Sequence, residues 1–121
     1  MDKLTKQEIF DRAVRGLRSQ GFKRAWQASE SHPSEGYCKY LTSDGLRCAW
    51  GWVDQSLGTE DHGDIWTLRW RGIGLAASLD GDLALFARRL QAVHDLAKDH
   101  LEMETELRSF AKAQNLTWPE D

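Results

Sequence analysis

A chain of 121 residues, 29% charged and 40% hydrophobic, has the size and composition of one globular domain, read here as residues 1–121 around a single core. No apolar run approaches the ~20 residues a membrane span needs, and the opening Met-Asp-Lys-Leu-Thr-Lys lacks the apolar stretch of a secretory signal. A cytoplasmic protein with reduced thiols at its two cysteines is the expectation, and a net charge of −3 argues against duplex DNA as the main ligand.

The first element expected is a helix. Thr5 and Glu8 have capping-box spacing, Leu4 can staple to Ile9, and Ile9, Phe10, Ala13, Val14 and Leu17 recur at helical steps, with Arg12, Arg15 and Arg18 on other faces. Gly21 stands at the C-terminal stop, and Phe22–Ala28 reads as a short second helical turn anchored by Trp26. Residues 29–36 are a loop by composition. Asp44-Gly45, between two β-prone runs, predicts a hairpin within Tyr37–Val53. Trp50, Val53 and Leu57 share one face of a short helix that stops at Gly58.

Residues 65–79 fit two patterns. Trp66, Leu68 and Trp70 alternate as in a half-buried strand, whereas Trp66, Trp70, Ile73 and Ala77 also share a helix face. Gly72 and Gly74 favour a strand or loop leading into a short helix from about residue 74. Asp82 is placed as the cap of the best helix, with Leu83, Phe86, Leu90, Val93 and Ala97 inward. A bend near Lys98–Glu102 precedes a last helix carrying Met103, Leu107, Phe110 and Ala111, closed by Asn115 before Pro119. The fold class expected is α+β, a β-hairpin or small antiparallel sheet packed against four to five helices.

Three chemistries compete with simple binding. Cys38 and Cys48, with two of His32, His62, His94 and His100, could supply four zinc ligands, but the cysteines are far wider apart than in zinc knuckles. They share a hairpin face only if the loop between them has an odd length. A thiol enzyme would use Cys48, just before a helix N-terminus, as nucleophile; His94 could serve as base, yet neighbours on a helix diverge by about 100 degrees, so Asp95 is not expected to orient it. The bland reading is two buried thiols and a boundary histidine. A single-stranded nucleic-acid site would use the interleaved Trp66, Arg69, Trp70 and Arg71, against a cationic strand face as the plain alternative. No catalytic set, dinucleotide fingerprint or calcium loop emerges, and no cofactor is expected.

Binding without chemistry draws on the six tryptophans, Trp26, Trp50, Trp52, Trp66, Trp70 and Trp118, because exposed Trp and Arg dominate recognition hot spots. Residues 1–24 hold seven Lys/Arg against three acids, and residues 95–121 hold seven acids against three bases. Such a dipole can steer a partner, although two solvated helix faces would look the same. The anchors expected are Trp52, Trp66, Arg69, Trp70 and Arg71, and no feature of the sequence specifies an oligomeric state.

Leu4-Thr5-Lys6-Gln7-Glu8-Ile9-Phe10-Asp11, then Cys38, Tyr40, Gly45, Cys48, Ala49 and Gly51 as a Cys-x-Tyr, a Gly and a Cys-Ala-x-Gly, and then Leu90-Gln91-Ala92-Val93-His94-Asp95 follow one pattern. It resembles a group of small uncharacterised accessory proteins of tailed phages and prophages. The chain departs from that group at Trp50 and Trp52, where the group is aliphatic or small. The resemblance implies a protein acting inside a bacterial host cell by binding and inhibiting a host protein, defence factors such as CRISPR machinery included.

Overall fold

A computed structural model of the chain describes residues 4–28, 36–61 and 64–120, with the backbone alone at 26–28 and 36–38. Helix α1 spans Lys6–Ser19. Its start is the capping box expected: the Glu8 N–H donates to Thr5 Oγ1 and the Thr5 N–H to Glu8 Oε1, both at 3.1 Å. Ile9, Phe10, Ala13, Val14 and Leu17 are buried. Gly21 and Phe22 follow with φ of 70° and 56°. Two successive left-handed residues end the helix and turn the chain out of it, so the helical turn expected over Phe22–Ala28 does not form.

In its place Trp26–Ala28 is an extended strand, β1, antiparallel to β2, Gly36–Cys38, with Trp26 opposite Cys38 and Ala28 opposite Gly36. The expected loop at 29–36 lies outside the described residues except at Gly36. This ribbon of three residues a strand is all the pairing among the described residues and is too small to form a layer. The fold is helical, and the expectation of an α+β domain built on a hairpin or small sheet is overturned.

The reason lies around Asp44-Gly45. The turn forms: Gly45 has φ 91°, its N–H donates to Thr42 O at 3.1 Å, and the Thr42 N–H donates to Leu46 O at 2.8 Å. Strand pairing stops there because Gln20, capping the end of α1, takes the next residue. Its side-chain amide donates to Arg47 O at 2.7 Å and accepts the Arg47 N–H at 3.0 Å, as a neighbouring strand would. The upstream segment has meanwhile paired with β1, extended by Lys39 N–H to Ala25 O at 2.9 Å.

Helix α2, Ala49–Val53, begins at Cys48, whose sulfur accepts the Gly51 N–H at 3.4 Å. Gly51 lets α2 sit directly on the Tyr40 carbonyl, since an added Cβ would stand 3.1 Å from the Tyr40 carbonyl carbon and nearer its oxygen. Residues 65–79 resolve as helix α3, Ile65–Trp70, capped by Asp64, and a 3-10 helix, Gly74–Ser78. Helix α4, Gly81–Leu96, is capped by Asp80 rather than Asp82, which sits in its first turn. Helix α5, His100–Ala113, is capped by Asp99 and closes at Asn115, φ 57°, where Leu116 N–H reaches back to Ala111 O at 2.8 Å.

The core gathers α1 on α2 and α4, with α4 also holding α3 and α5. The partly buried Phe110 packs on Phe10 and Phe86 where α1, α4 and α5 converge, Phe86 and Phe110 with centroids 5.4 Å apart. The C-terminal segment returns along α1: Gln7 exchanges hydrogen bonds with both backbone groups of Thr117, and an Arg18 guanidinium N–H reaches Pro119 O at 2.6 Å. The basic and acidic ends of the chain are thus neighbours in space, and the charge dipole of the sequence is not a dipole from end to end of the molecule. Among the described residues no helix is long and apolar enough to cross a membrane.

Candidate functional site

Helix α3 is short, and its polarity is decided by which face meets α4. Ile65 and Leu68, three apart, are buried, so Trp66, Arg69 and Trp70, at steps of three and four, share the outer face. Asp64 fixes the start by accepting the Thr67 N–H at 2.9 Å, and it also meets Arg88 at 4.0 Å. Trp66 is partly buried against the core. The Arg69 guanidinium stands 5.8 Å from the centre of the Trp66 ring, and its Nε–H donates to Leu79 O at 2.8 Å, tying α3 to the end of the 3-10 helix. Trp70 is 91% exposed. Trp66, Arg69, Trp70 and Ala77 line one shallow pocket of about 490 Å³. Arg71 follows at the end of the helix, exposed and without a side-chain partner among the described residues.

Three of the five anchors expected from the sequence, Trp66, Arg69 and Trp70, therefore lie together, with Arg71 next to them at the end of the helix. Trp52 does not join them. It stands half-buried on α2, its Nε1–H donating to Gln20 Oε1 at 3.1 Å and the Arg47 guanidinium 5.9 Å from its ring. Its indole lies against Gly16 of α1, where any side chain would collide with it.

The residues of the thiol-enzyme alternative do assemble, but in a structural wiring. Gln91 on α4 accepts the Trp50 N–H at 2.8 Å and donates to Asp95 Oδ1 at 3.0 Å. The same Asp95 oxygen lies 2.8 Å from His94 Nδ1, so adjacent helix residues do meet here, against the expectation from their diverging directions. The divergence separates the directions in which the side chains leave the helix, yet adjacent Cβ atoms stay close enough for a short carboxylate to turn back onto Nδ1. His94 is fully buried, not a boundary residue, and its Nε2 accepts the Ala25 N–H at 3.0 Å. That bond requires Nε2 to be unprotonated and Nδ1–H to face Asp95. The nitrogen a nucleophile would need is spent on backbone.

Cys48 is likewise sealed. Burial pushes its thiol up to about 12, more than the Gly51 N–H and Gln91 pull it down, so the thiolate that nucleophilic attack needs is scarce at neutral pH. Cys48 and its neighbours cap α2 and stitch α2, α4 and the start of β1 together.

The zinc alternative rests partly on groups outside the described residues: His32, His62 and the side chain of Cys38. Among the described residues no three His, Cys, Asp or Glu side chains converge as metal ligands would. Sequence reasoning also missed Asp54. It is buried at the end of α2, where Oδ1 accepts the Ser56 N–H at 3.1 Å and Ser56 Oγ–H at 2.5 Å, and Oδ2 accepts the Leu75 N–H at 2.8 Å. The Asp-x-Ser turn signal at 54–56 was available for that position. No local signal marks Gln20 or Gln91. No family model, curated protein or solved structure matches the chain.

Proposed function

We propose that the chain is a binding protein that engages a protein partner through the outer face of α3, with Trp70 as anchor and Trp66, Arg69 and Arg71 around it. One observation carries the reading: Trp70 is 91% exposed in a pocket it shares with the Trp66 indole and the Arg69 guanidinium, and no internal contact accounts for it. An indole left in water forgoes the burial that makes Trp useful to a core, whereas Trp and Arg together are the residues that most often dominate binding energy. The exposed cations favour an acidic patch on the partner. The setting comes from the resemblance to tailed-phage accessory proteins: a bacterial cytoplasm, a host protein as target, and inhibition of a defence factor, CRISPR machinery included, as the outcome.

The test is affinity capture from bacterial lysate with the wild-type chain and with Trp70→Ala, both checked for native circular dichroism. A specific protein should co-purify with the first, and Trp70→Ala should weaken its binding by roughly thirty-fold or more, as for a hot-spot tryptophan. Equal retention by the Trp70→Ala and Arg71→Ala variants would remove the α3 face from the reading. Recovery of nucleic acid instead, with affinity falling steeply in salt, would replace a protein partner by a single strand stacked on the indoles.

A further inference from the structure

We propose that the groove between α1 and the connection from α2 to the 3-10 helix binds a small organic anion, a phosphate or carboxylate carried on a planar or apolar body. The groove is open to solvent and spans about 770 Å³, a size within the range of small-molecule sites. Arg12 and Arg15, three apart on α1, both line it. Arg12 touches the Val53 carbonyl only at 3.5 Å, and Arg15 has no partner among the described residues. Two cations thus line one opening in a chain whose net charge is −3.

The one carboxylate of the lining, Asp54, offsets only one of the two charges and forms no ion pair with either guanidinium among the described residues. Both of its oxygens are occupied, by Ser56 and by the Leu75 N–H, in holding the far wall together. The groove therefore keeps a net positive charge with unused N–H donors, the fork that takes phosphate or carboxylate in paired hydrogen bonds. The walls suit the rest of such a ligand. Val53 and Leu75 are apolar, and Trp52 forms a fixed wall because Gly16 at its base and Gln20 at its indole N–H leave it no other place. Fixed walls reduce the ordering cost of binding.

The site stands apart from the α3 face and does not rest on the function proposed for that face. The two share only the 3-10 helix, which gives Gly74 and Leu75 to the groove and Ala77 to the pocket at Trp70.

Titration of the whole chain with phenyl phosphate, benzoate and inorganic phosphate tests the inference, read by the Trp52 indole N–H signal in two-dimensional NMR and assigned with Trp52→Phe. Phenyl phosphate or benzoate should shift that signal saturably, at roughly millimolar concentration, while the Trp70 indole stays still. The stronger of the two identifies the anion, and weaker binding of inorganic phosphate shows that the body contributes. Arg15→Ala, whose exposed side chain holds no structural contact, should weaken binding roughly tenfold, and Arg12→Ala with Arg15→Ala should abolish it. Absence of a saturable shift, a matching shift with sodium chloride, or unchanged affinity in the folded double variant would overturn the site. None of these results bears on partner capture through Trp70.

Discussion

Replacing Gly16 by Ala sets two opposing effects against each other at the seam between α1 and α2. In a helix interior the change is ordinarily favourable by about 1 kcal/mol, because Gly surrenders more backbone freedom on folding. Here the added Cβ would lie 2.6 Å from Trp52 Cβ and nearer still to ring carbons Cγ and Cδ2. The obstacle is the root of a bulky side chain, not a free tip that can swing aside. Its far end is held by the hydrogen bond to Gln20 at 3.1 Å. Overpacking of this kind costs roughly 1–3 kcal/mol, and losing the indole hydrogen bond adds about 1 kcal/mol. The steric loss wins, and Gly16→Ala should destabilise the fold by about 1–3 kcal/mol. Urea unfolding followed by circular dichroism reads the change as a lowered midpoint at constant slope. In a Trp52→Ala background the obstacle is gone, and the same substitution should stabilise by about 1 kcal/mol, a coupling of about 2–4 kcal/mol. A raised midpoint for Gly16→Ala in the otherwise wild-type chain would refute the reasoning.

Other expectations test the buried polar groups. Cys48 has its thiol pushed up from 9.0 to about 12, so the unfolded chain loses the proton first as pH rises. Its contribution is fully present below pH 9 and is lost between pH 9 and 12, at up to about 1.4 kcal/mol per pH unit. Tyr40, also pushed upward, first of all by burial, adds to the loss above its ordinary value of 10.0. Unfolding measured from pH 8 to 11 should show a shallower alkaline decline for Cys48→Ala, and parallel slopes would contradict the burial argument. Cys48 should resist iodoacetamide in the native protein at neutral pH and react once urea unfolds it, which mass spectrometry reads directly. Asp54→Ala removes the acceptor of the Leu75 N–H, while the exposed Ser56 turns to water, and should cost about 1–3 kcal/mol, with Asp54→Asn recovering part of that in thermal unfolding.

What the sequence made legible was local. The capping box of α1 needs only Thr5 and Glu8, and the stripes of α1, α4 and α5 need only their own spacing. The hairpin was misread because a turn signal speaks for four residues and not for the strands beside them. Thr42–Leu46 turns as expected, while the pairing partners come from Gln20 on one side and β1 on the other, both more than ten residues away. The ambiguity at 65–79 had a similar source. Counting Trp66 and Trp70 as core makes the alternation look like a strand, whereas taking Ile65 and Leu68 as core gives a helix at once, with Asp64 as its cap. In the candidate site, the α3 residues were legible by composition. The groove was not, because Arg12 and Arg15 read as an ordinary solvated face until α2 and the 3-10 helix are laid beside them.

Each of the five indoles among the described side chains has a different reason for its place. Trp50 is 1% exposed and fills the core, although its Nε1–H finds no acceptor among the described residues, a cost of about 1–3 kcal/mol that packing must offset. Trp52 closes the seam over Gly16. Trp118 lies between the Arg18 and Arg108 guanidinium groups, 5.8 and 4.1 Å from its ring centre, and pins the C-terminal segment against α1. Trp66 rests on the core and carries Arg69. Each of these side chains is explained by stability. Trp70 is not: it touches nothing that would suffer from a smaller residue, and it leaves a large apolar ring in water next in the chain to an equally unneeded cation at Arg71. Replacing Trp70 by Ala or Gln should therefore leave stability within about 0.5 kcal/mol of wild type, as at any surface site without structural duties. A large loss of stability on that replacement would show an internal role and would withdraw the strongest reason for placing a partner on α3.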